Sequence, residues 1–418
     1  MNRYRYLALA AVVLLLSSCT RGSVGIFASI EQEVKTQKSN LSESSAITGV
    51  VESSNHIYAS IGNIASRTKN GTEWNGVGDP PGIDSPISVA LVQIGDPNSG
   101  SREYYAAFNS QEGDEYGLFQ LSIDESSGAV TFTERNIAYD GNDVSEIAAL
   151  IPVDSDHDGF ADLLYASLRT GFENQEPLFT LVANPAGIGG TEELLRDNSA
   201  DNLFDAAVDN DSDTWFVGSK GAVYRLTGST LTQLAGSDAA YPTDSEGTKG
   251  KSFSGAYAAD LGDLGGTGGT VALFLSDTDG RIWVTTDSGG SWEMTDLSGR
   301  AFSDMIWLPR AGDGGDGALL VGTKPFIQRA VDDQGLFEVE LTVSGTSITI
   351  DSLAAPDTSS YNTSELQSAT VSSFYRPDDG TAPSIAPDSN DLFVLTGGLG
   401  LWALTYGSDG IPEEVRWE

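Results

Sequence analysis

Cysteine and histidine are scarce in this chain, and their scarcity removes several kinds of site. The single cysteine, Cys19, has no partner for an internal disulfide and cannot build a zinc site that needs several cysteines. The two histidines are His56, in a predicted buried strand, and His157, in an acidic loop. Neither position suits a Ser-His-Asp catalytic arrangement.

Basic residues are also few, since 22 lysines and arginines stand against 60 acidic residues, for a formal net charge of −38. No cluster of lysine or arginine interrupts this excess, so the chain would repel nucleic-acid phosphates and anionic lipid headgroups. We therefore expect no nucleic-acid partner. The plainest interpretation of the charge is a solvated acidic surface that keeps the protein soluble.

Helical periodicity is absent as well, because no long stretch repeats its apolar residues at the spacing of an amphipathic helix. Instead, 48 glycines are scattered between short runs of valine, leucine, phenylalanine and tyrosine in a chain of 418 residues. This pattern is typical of many strands joined by turns. It predicts an all-β fold with a large core.

The N-terminus carries an export signal. Basic residues, an apolar run at residues 7–16 and small residues precede Cys19, which predicts a signal peptide over residues 1–18. Leu16-Ser17-Ser18-Cys19 resembles the lipobox of bacterial lipoproteins. The resemblance implies cleavage before Cys19, a diacylglycerol on its sulfur and a further acyl chain, such as palmitate, on its amine, which together would hold the protein on a membrane. A plain secretory peptide is the alternative.

Residues 19–45 comprise the lipidated cysteine and a polar, serine-rich segment, which predicts a tether between anchor and folded body. Part of it, residues 30–38, is compatible with a helix, and residues 24–29 could alternatively donate a closing strand to the last sheet. Thr20, rather than aspartate, follows the cysteine. This resembles an outer-membrane sorting signal and implies a location in the bacterial cell envelope.

One pattern recurs from residue 46 to residue 418: an apolar strand, an acidic or glycine-rich loop, a second apolar strand, and a third strand that is often glycine-led and aromatic. Repeats of about 50 residues predict β-propeller blades. The predicted second strands are residues 56–60, 103–108, 162–167, 214–219, 270–275, 318–322 and 391–396. We expect seven four-stranded blades over residues 46–418, with six or eight blades, a β-sandwich or two smaller domains as alternatives.

A short motif follows the predicted hairpin in the fifth repeat. The segment Thr285-Thr286-Asp287-Ser288-Gly289-Gly290-Ser291-Trp292 resembles the Asp-box of sialidase, sortilin and BNR-repeat propellers. The resemblance implies a structural role, in which Asp287 hydrogen-bonds the turn between the third and fourth strands and Trp292 packs beneath it. Thr285 and Gly289 occupy the other motif positions. Residues 70–74 keep the glycine and tryptophan, but Lys69 stands where the aspartate belongs.

An acidic loop supplies five candidate oxygen ligands: Asp154, Asp156, Asp158, the backbone carbonyl of Phe160, and Asp162. Such donors at this spacing are typical of a Ca²⁺ site. The loop departs from an EF-hand because Tyr165 replaces the bidentate glutamate, and it resembles the calcium loops of FG-GAP propeller repeats. That resemblance implies a structural Ca²⁺, with an empty acidic loop as the alternative. Residues 209–213 are a weaker candidate, or a polar turn.

Two functional interpretations remain open. In a propeller, the loops between second and third strands and between blades meet at one end, here called the mouth. The predicted mouth segments are residues 109–116, 169–176, 241–249, 326–334 and 361–365. They mix aromatic, amide and charged side chains, which suits a protein or glycan ligand. We predict a non-enzymatic, membrane-anchored binding or scaffold module; the alternative is a sialidase-like carbohydrate-active hydrolase, although that family's early Arg-Ile-Pro-type segment is missing.

The anchor prediction is tested by Cys19→Ser in the full chain, expressed in a bacterium that processes lipoproteins. We expect the variant to lose incorporation of a palmitate analogue and to leave the membrane fraction, because the cysteine is the point of attachment. Acyl labelling followed by fractionation measures both. Thr20→Ser, which keeps the cysteine, should label like the wild type, and a labelled Cys19→Ser chain would contradict the lipobox assignment.

Overall fold

The computed structural model describes residues 46–71, 73–95, 102–113, 115–135, 137, 144–158, 160–188, 190–262, 264, 266, 268–297, 301–309, 317–324, 335–354, 371–375, 391–397, 400–406 and 412–417. These residues form seven antiparallel sheets, each made of four strands consecutive in the chain, and no α-helix. The predicted all-β fold with seven four-stranded blades is confirmed. The predicted signal peptide, Cys19 and the predicted tether lie outside the described residues.

The strands are numbered in chain order, four to a blade. Blades 1 and 2 contain β1 (Gly49–Glu52), β2 (His56–Ser60), β3 (Ile64–Thr68), β4 (Asn75–Gly76), β5 (Pro86–Ile94), β6 (Glu103–Ser110), β7 (Tyr116–Ile123) and β8 (Val130–Arg135). Blades 3 and 4 contain β9 (Glu146–Val153), β10 (Leu163–Glu173), β11 (Glu176–Ala183), β12 (Glu193–Ser199), β13 (Leu203–Val208), β14 (Thr214–Gly218), β15 (Val223–Thr227) and β16 (Thr230–Gln233).

Blades 5 to 7 complete the ring. They contain β17 (Phe253–Asp260), β18 (Val271–Asp277), β19 (Arg281–Thr285), β20 (Glu293–Asp296), β21 (Ala301–Pro309), β22 (Gly317–Lys324), β23 (Leu336–Ser344), β24 (Ser347–Ala354), β25 (Val371–Tyr375), β26 (Asp391–Thr396), β27 (Leu401–Tyr406) and β28 (Pro412–Trp417). In each blade the first strand lies innermost and pairs only with the second.

Seven hydrophobic clusters hold the ring together, and each lies between two neighbouring blades. Between blades 5 and 6, for example, Phe274 and Phe302 are both fully buried. Every residue of β18 is buried, because a second strand has a neighbouring sheet on each face. The fourth strand β8 has no buried residue, as expected at the outer edge of a blade.

Two glycines allow adjacent innermost strands to approach closely. A Cβ atom on Gly49 would lie 2.2 Å from the carbonyl oxygen of Leu91, and one on Gly255 would lie 1.9 Å from that of Ser303. Both distances are far below van der Waals contact. Side chains are therefore excluded at these two positions, and the missing Cβ lets the strands meet.

The ring closes by packing, without an exchanged strand among the described residues. Ala46 forms an isolated bridge with Gly397 of blade 7. On the outer side of this seam, the guanidinium of Arg67 lies 5.3 Å from the Trp74 ring and 5.8 Å from the Phe393 ring. Arg67 is 3% exposed, so the cation is held between blade 1 and blade 7.

Because successive strands of each blade are antiparallel, the connections between strands lie at two opposite ends of the propeller. Connections between first and second strands and between third and fourth strands share one end, here called the acidic end. All other connections lie at the mouth. Among the described residues, none belongs to a helix long and apolar enough to cross a bilayer.

Turns of adjacent blades are joined at the acidic end. Glu125, between β7 and β8, accepts hydrogen bonds from the Ser53 hydroxyl at 2.9 Å and the Asn55 backbone N–H at 3.1 Å, both between β1 and β2. Ser288, between β19 and β20, accepts one from the Asp211 N–H in blade 4 at 3.1 Å. In both places, the outer turn of one blade supports the inner turn of the blade before it.

Candidate functional site

The acidic loop, residues 154–162, connects β9 to β10 at the acidic end of blade 3. It brings together three of the predicted ligands, since one carboxylate oxygen from each of Asp154, Asp156 and Asp158 lies within 4.8 Å of the others. Calcium ligands lie about 2.3–2.6 Å from the ion, so two on opposite sides are about 5 Å apart. The three carboxylates therefore fit around one calcium ion.

The fourth carboxylate has protein partners. Asp162 accepts hydrogen bonds from the backbone N–H and the hydroxyl of Ser155, at 2.7 and 2.5 Å. The Phe160 N–H donates to a carboxylate oxygen of Asp158 at 2.9 Å. Asp162 thus fastens the base of the loop, while Phe160 orients one of the three converging carboxylates.

The acidic loop is attached to the blades on both sides. The Gly95 N–H, at the end of β5 in blade 2, donates to the Ala161 carbonyl at 2.7 Å. Burial lowers the pKa of His157, although the backbone of Asp209 in blade 4 and the charges of Asp156, Asp260 and Asp209 oppose that shift. His157 is half-buried.

The weaker candidate, residues 209–213, is organised as a capped turn. Asp209 is 1% exposed. Its carboxylate accepts hydrogen bonds from the Asp211 N–H at 2.9 Å, the Asp213 N–H at 3.0 Å and the Trp215 indole at 2.7 Å. Arg225 pairs with Asp213 at 2.7 Å and lies 3.6 Å from Asp209. These partners occupy the carboxylates, which favours the polar-turn alternative.

The same turn recurs at the mouth of blade 5, and sequence analysis missed it. Asp277 accepts hydrogen bonds from the Asp279 N–H at 3.0 Å, the Arg281 N–H at 2.9 Å and the Trp283 indole at 3.1 Å. Burial raises the pKa of Asp277 despite these hydrogen bonds. The available signal was the spacing of aspartate and tryptophan six residues later, which is common to Asp209 and Asp277.

The predicted Asp-box residues form a turn between β19 and β20. Asp287 accepts hydrogen bonds from the Thr285 hydroxyl and the Ser291 N–H, both at 2.8 Å, and the Gly289 N–H donates to Thr285 Oγ1 at 3.0 Å. Partial burial alone would raise the pKa of Asp287, but the hydrogen bonds, chiefly from Ser291, outweigh it and lower the pKa. Gly289 has a φ of +84°, a conformation that favours glycine.

Trp292 connects this turn to blade 4. Its ring lies edge-on to that of Trp215, with the centroids 5.5 Å apart, and its indole N–H donates to the Ala240 carbonyl at 3.1 Å. Trp74, in the incomplete motif of blade 1, packs in the same hydrophobic cluster as Phe393 of the preceding blade. Both tryptophans therefore join a blade to its predecessor.

The mouth segments differ from the predicted loops. Residues 169–176 belong to β10 and β11, which meet at a two-residue turn, Asn174 and Gln175, with φ of +50° and +73°. Within residues 241–249, Tyr241 packs in the cluster between blades 4 and 5. Within residues 109–116, the Asn109 amide exchanges two hydrogen bonds of 3.0 Å with the Ile147 backbone. Residues 326–334 and 361–365 lie outside the described residues.

No family model matches this chain, and no curated protein matches it. An ancestral GH74 enzyme aligns with a TM-score of 0.54 and 14% identity over 90% of this chain and 47% of the enzyme. YCF48 bound to D1 peptide aligns with a TM-score of 0.48 and 9% identity over 90% of this chain and 93% of that one. The WD40 β-propeller domain of Doa1 aligns at 0.45 and 10%, over 85% and 91%.

This chain therefore spans about half the length of the GH74 enzyme, with 47% of that enzyme covered. At 14% identity, the likeness to the GH74 enzyme shows the propeller fold and nothing further.

The capped turn at Asp209 makes a prediction about stability. Asp209→Ala should lower the free energy of unfolding by about 2–4 kcal/mol, because it leaves buried N–H donors without their acceptor. Asp211→Ala in the same turn should change it by about 0.5 kcal/mol or less, since that side chain is exposed. Urea unfolding followed by tryptophan fluorescence compares the two variants, and equal effects would contradict the assignment.

Proposed function

We propose that this chain is a calcium-stabilised β-propeller, anchored in the bacterial cell envelope, at the outer membrane, by a lipid on Cys19. Its role is that of a binding or scaffold module. The anchor rests on the lipobox-like sequence before Cys19, and the binding role rests on how the described residues use their polar side chains.

That use of polar side chains carries the proposal. Asp209 and Asp277 are buried, and their carboxylates hold backbone and indole N–H groups at 2.7 to 3.1 Å. Such groups stabilise turns and are poorly placed to act as an acid or a base. At the mouth, by contrast, the β10–β11 hairpin presents Phe172 with 64% of its surface exposed. Aromatic side chains are enriched in the interfaces through which proteins bind partners.

Calcium fits the acidic loop for electrostatic reasons. Asp154, Asp156 and Asp158 place carboxylate oxygens close together, and an ion among them would remove their mutual repulsion. The backbone carbonyl of Phe160 is the further ligand expected from the sequence. Because the loop contacts blades 2 and 4 through Ala161 and His157, a bound ion would stiffen three consecutive blades.

Calcium should therefore raise the thermal stability of the protein. At a calcium concentration about 100 times the dissociation constant, the expected gain is about 2.7 kcal/mol. Differential scanning calorimetry with Ca²⁺ or with EDTA measures it. Asp156→Ala/Asp158→Ala should remove the shift, whereas Asp211→Ala, which removes an exposed carboxylate one blade later, should retain it. A double variant that still responds like the wild type would disprove the site.

The binding role is tested against hydrolysis with the purified full chain and a panel of chromogenic glycosides, with and without EDTA. We expect no turnover above a buffer blank, because the buried carboxylates described above are engaged in turns. Turnover that a single aspartate or glutamate substitution abolishes would contradict the binding role and establish the hydrolase alternative. The substituted variant, purified in the same way as the wild type, is the control for contaminating activity.

A further inference from the structure

The hairpin formed by β10 and β11 projects beyond the rest of blade 3. The last pair between β9 and β10 is Glu146 with Arg169, and the last pair between β11 and β12 is Phe179 with Ser199. Pairing between β10 and β11 continues to Glu173 with Glu176. Residues 170–178 are thus a two-stranded ribbon with no third strand among the described residues, and a backbone edge of this kind can accept an added strand.

A β-bulge fixes the aromatic side chain on this ribbon. The register shifts between Arg169 and Gly171, so one extra residue separates Arg169 from Phe172 and both side chains reach the same face. The Arg169 guanidinium lies 4.1 Å from the Phe172 ring centroid and forms an ion pair of 2.9 Å with Glu146. Phe172 is held from one side while 64% of its surface remains exposed.

The charge near the tip favours a cationic ligand. Glu173 and Glu176 flank the turn, and both are exposed. Of the two neighbouring cations, Arg169 pairs with Glu146 and Lys220 pairs with Glu176 at 2.5 Å, so the tip charge that no cation offsets among the described residues is that of Glu173. The net charge of −38 would also steer a cationic ligand toward the protein.

We propose that the ribbon of residues 170–178 binds an extended, positively charged segment of a partner protein. This inference rests on the proposed binding function and names its site and ligand class. The segment would pair with a backbone edge of the ribbon that no described residue covers, place an apolar side chain against Phe172 and direct lysine or arginine side chains toward Glu173.

The test uses the full chain and fluorescein-labelled nonapeptides in which lysine alternates with valine, with a glutamate–valine peptide for comparison. Fluorescence anisotropy should show binding of the lysine peptide alone, weakening as salt is added. Phe172→Ser should weaken binding about tenfold or more, as expected for a central anchor residue. Glu173→Gln/Glu176→Gln should weaken it and reduce its salt dependence.

Matched controls separate this site from general attraction to an acidic protein. Leu194→Ser alters another exposed apolar residue of blade 3, on β12, and Glu193→Gln/Glu134→Gln neutralises two exposed carboxylates outside the ribbon. Both should bind the lysine peptide within about twofold of wild type, since they lie outside the anchor site. Equal binding by all variants, or no binding by the wild type, would overturn the proposal.

A glycan ligand is the rival outcome. Binding of a neutral hexasaccharide that Phe172→Ser abolishes, without binding of the lysine peptide, would also overturn the proposal. The glycoside assay is a separate test. Failure to bind the peptide would not produce glycoside turnover, and glycoside turnover would not depend on the ribbon. Failure of the ligand assignment is thereby distinguishable from failure of the binding function.

Discussion

The two faces of β18 are covered by different neighbours. Leu273 and Leu275 pack in the cluster shared with blade 4, while Ala272 and Phe274 pack in the cluster shared with blade 6. A four-stranded sheet cannot bury both faces of its inner strands alone, so each blade depends on the next for the apolar contacts that stabilise it. The ring is the arrangement in which every blade has two such neighbours, and the loops at both ends take their positions from it.

Aspartate side chains also stabilise the fold, because they fix the conformation of its turns. Where a turn must be tight, a carboxylate binds its backbone N–H groups, as at Asp209, Asp277 and Asp287. At two of these turns it also binds the indole of a buried tryptophan. Some of the acidic residues behind the net charge of −38 therefore stabilise turns of the fold. An acidic cluster whose carboxylates are engaged in such turns is therefore no sign of a metal site.

The strands could be predicted because a strand that is buried on both faces consists mostly of apolar residues. The predicted second strands at 56–60 and 391–396 coincide with β2 and β26. The sequence was less informative about contacts between residues that lie far apart in the chain. The residues that pack Arg67 between Trp74 and Phe393, or bring Trp292 to Trp215, come from different blades. Likewise, residues 169–176 looked like a loop because their glycine, amides and charges are typical of turns, whereas they extend a hairpin.

Each described sheet is built from consecutive strands, and the seam between blades 7 and 1 exchanges none of them. During translation or export, a blade can therefore complete its backbone hydrogen bonds as soon as its fourth strand emerges, and then offer one finished face to the next. The contacts between blades 7 and 1 have to wait for the last blade, among them those of Arg67 and Trp74 with Phe393 and the bridge between Ala46 and Gly397. Because arginine keeps its charge at any physiological pH, the contact of Arg67 with the Phe393 ring would form alike in acidic and neutral surroundings.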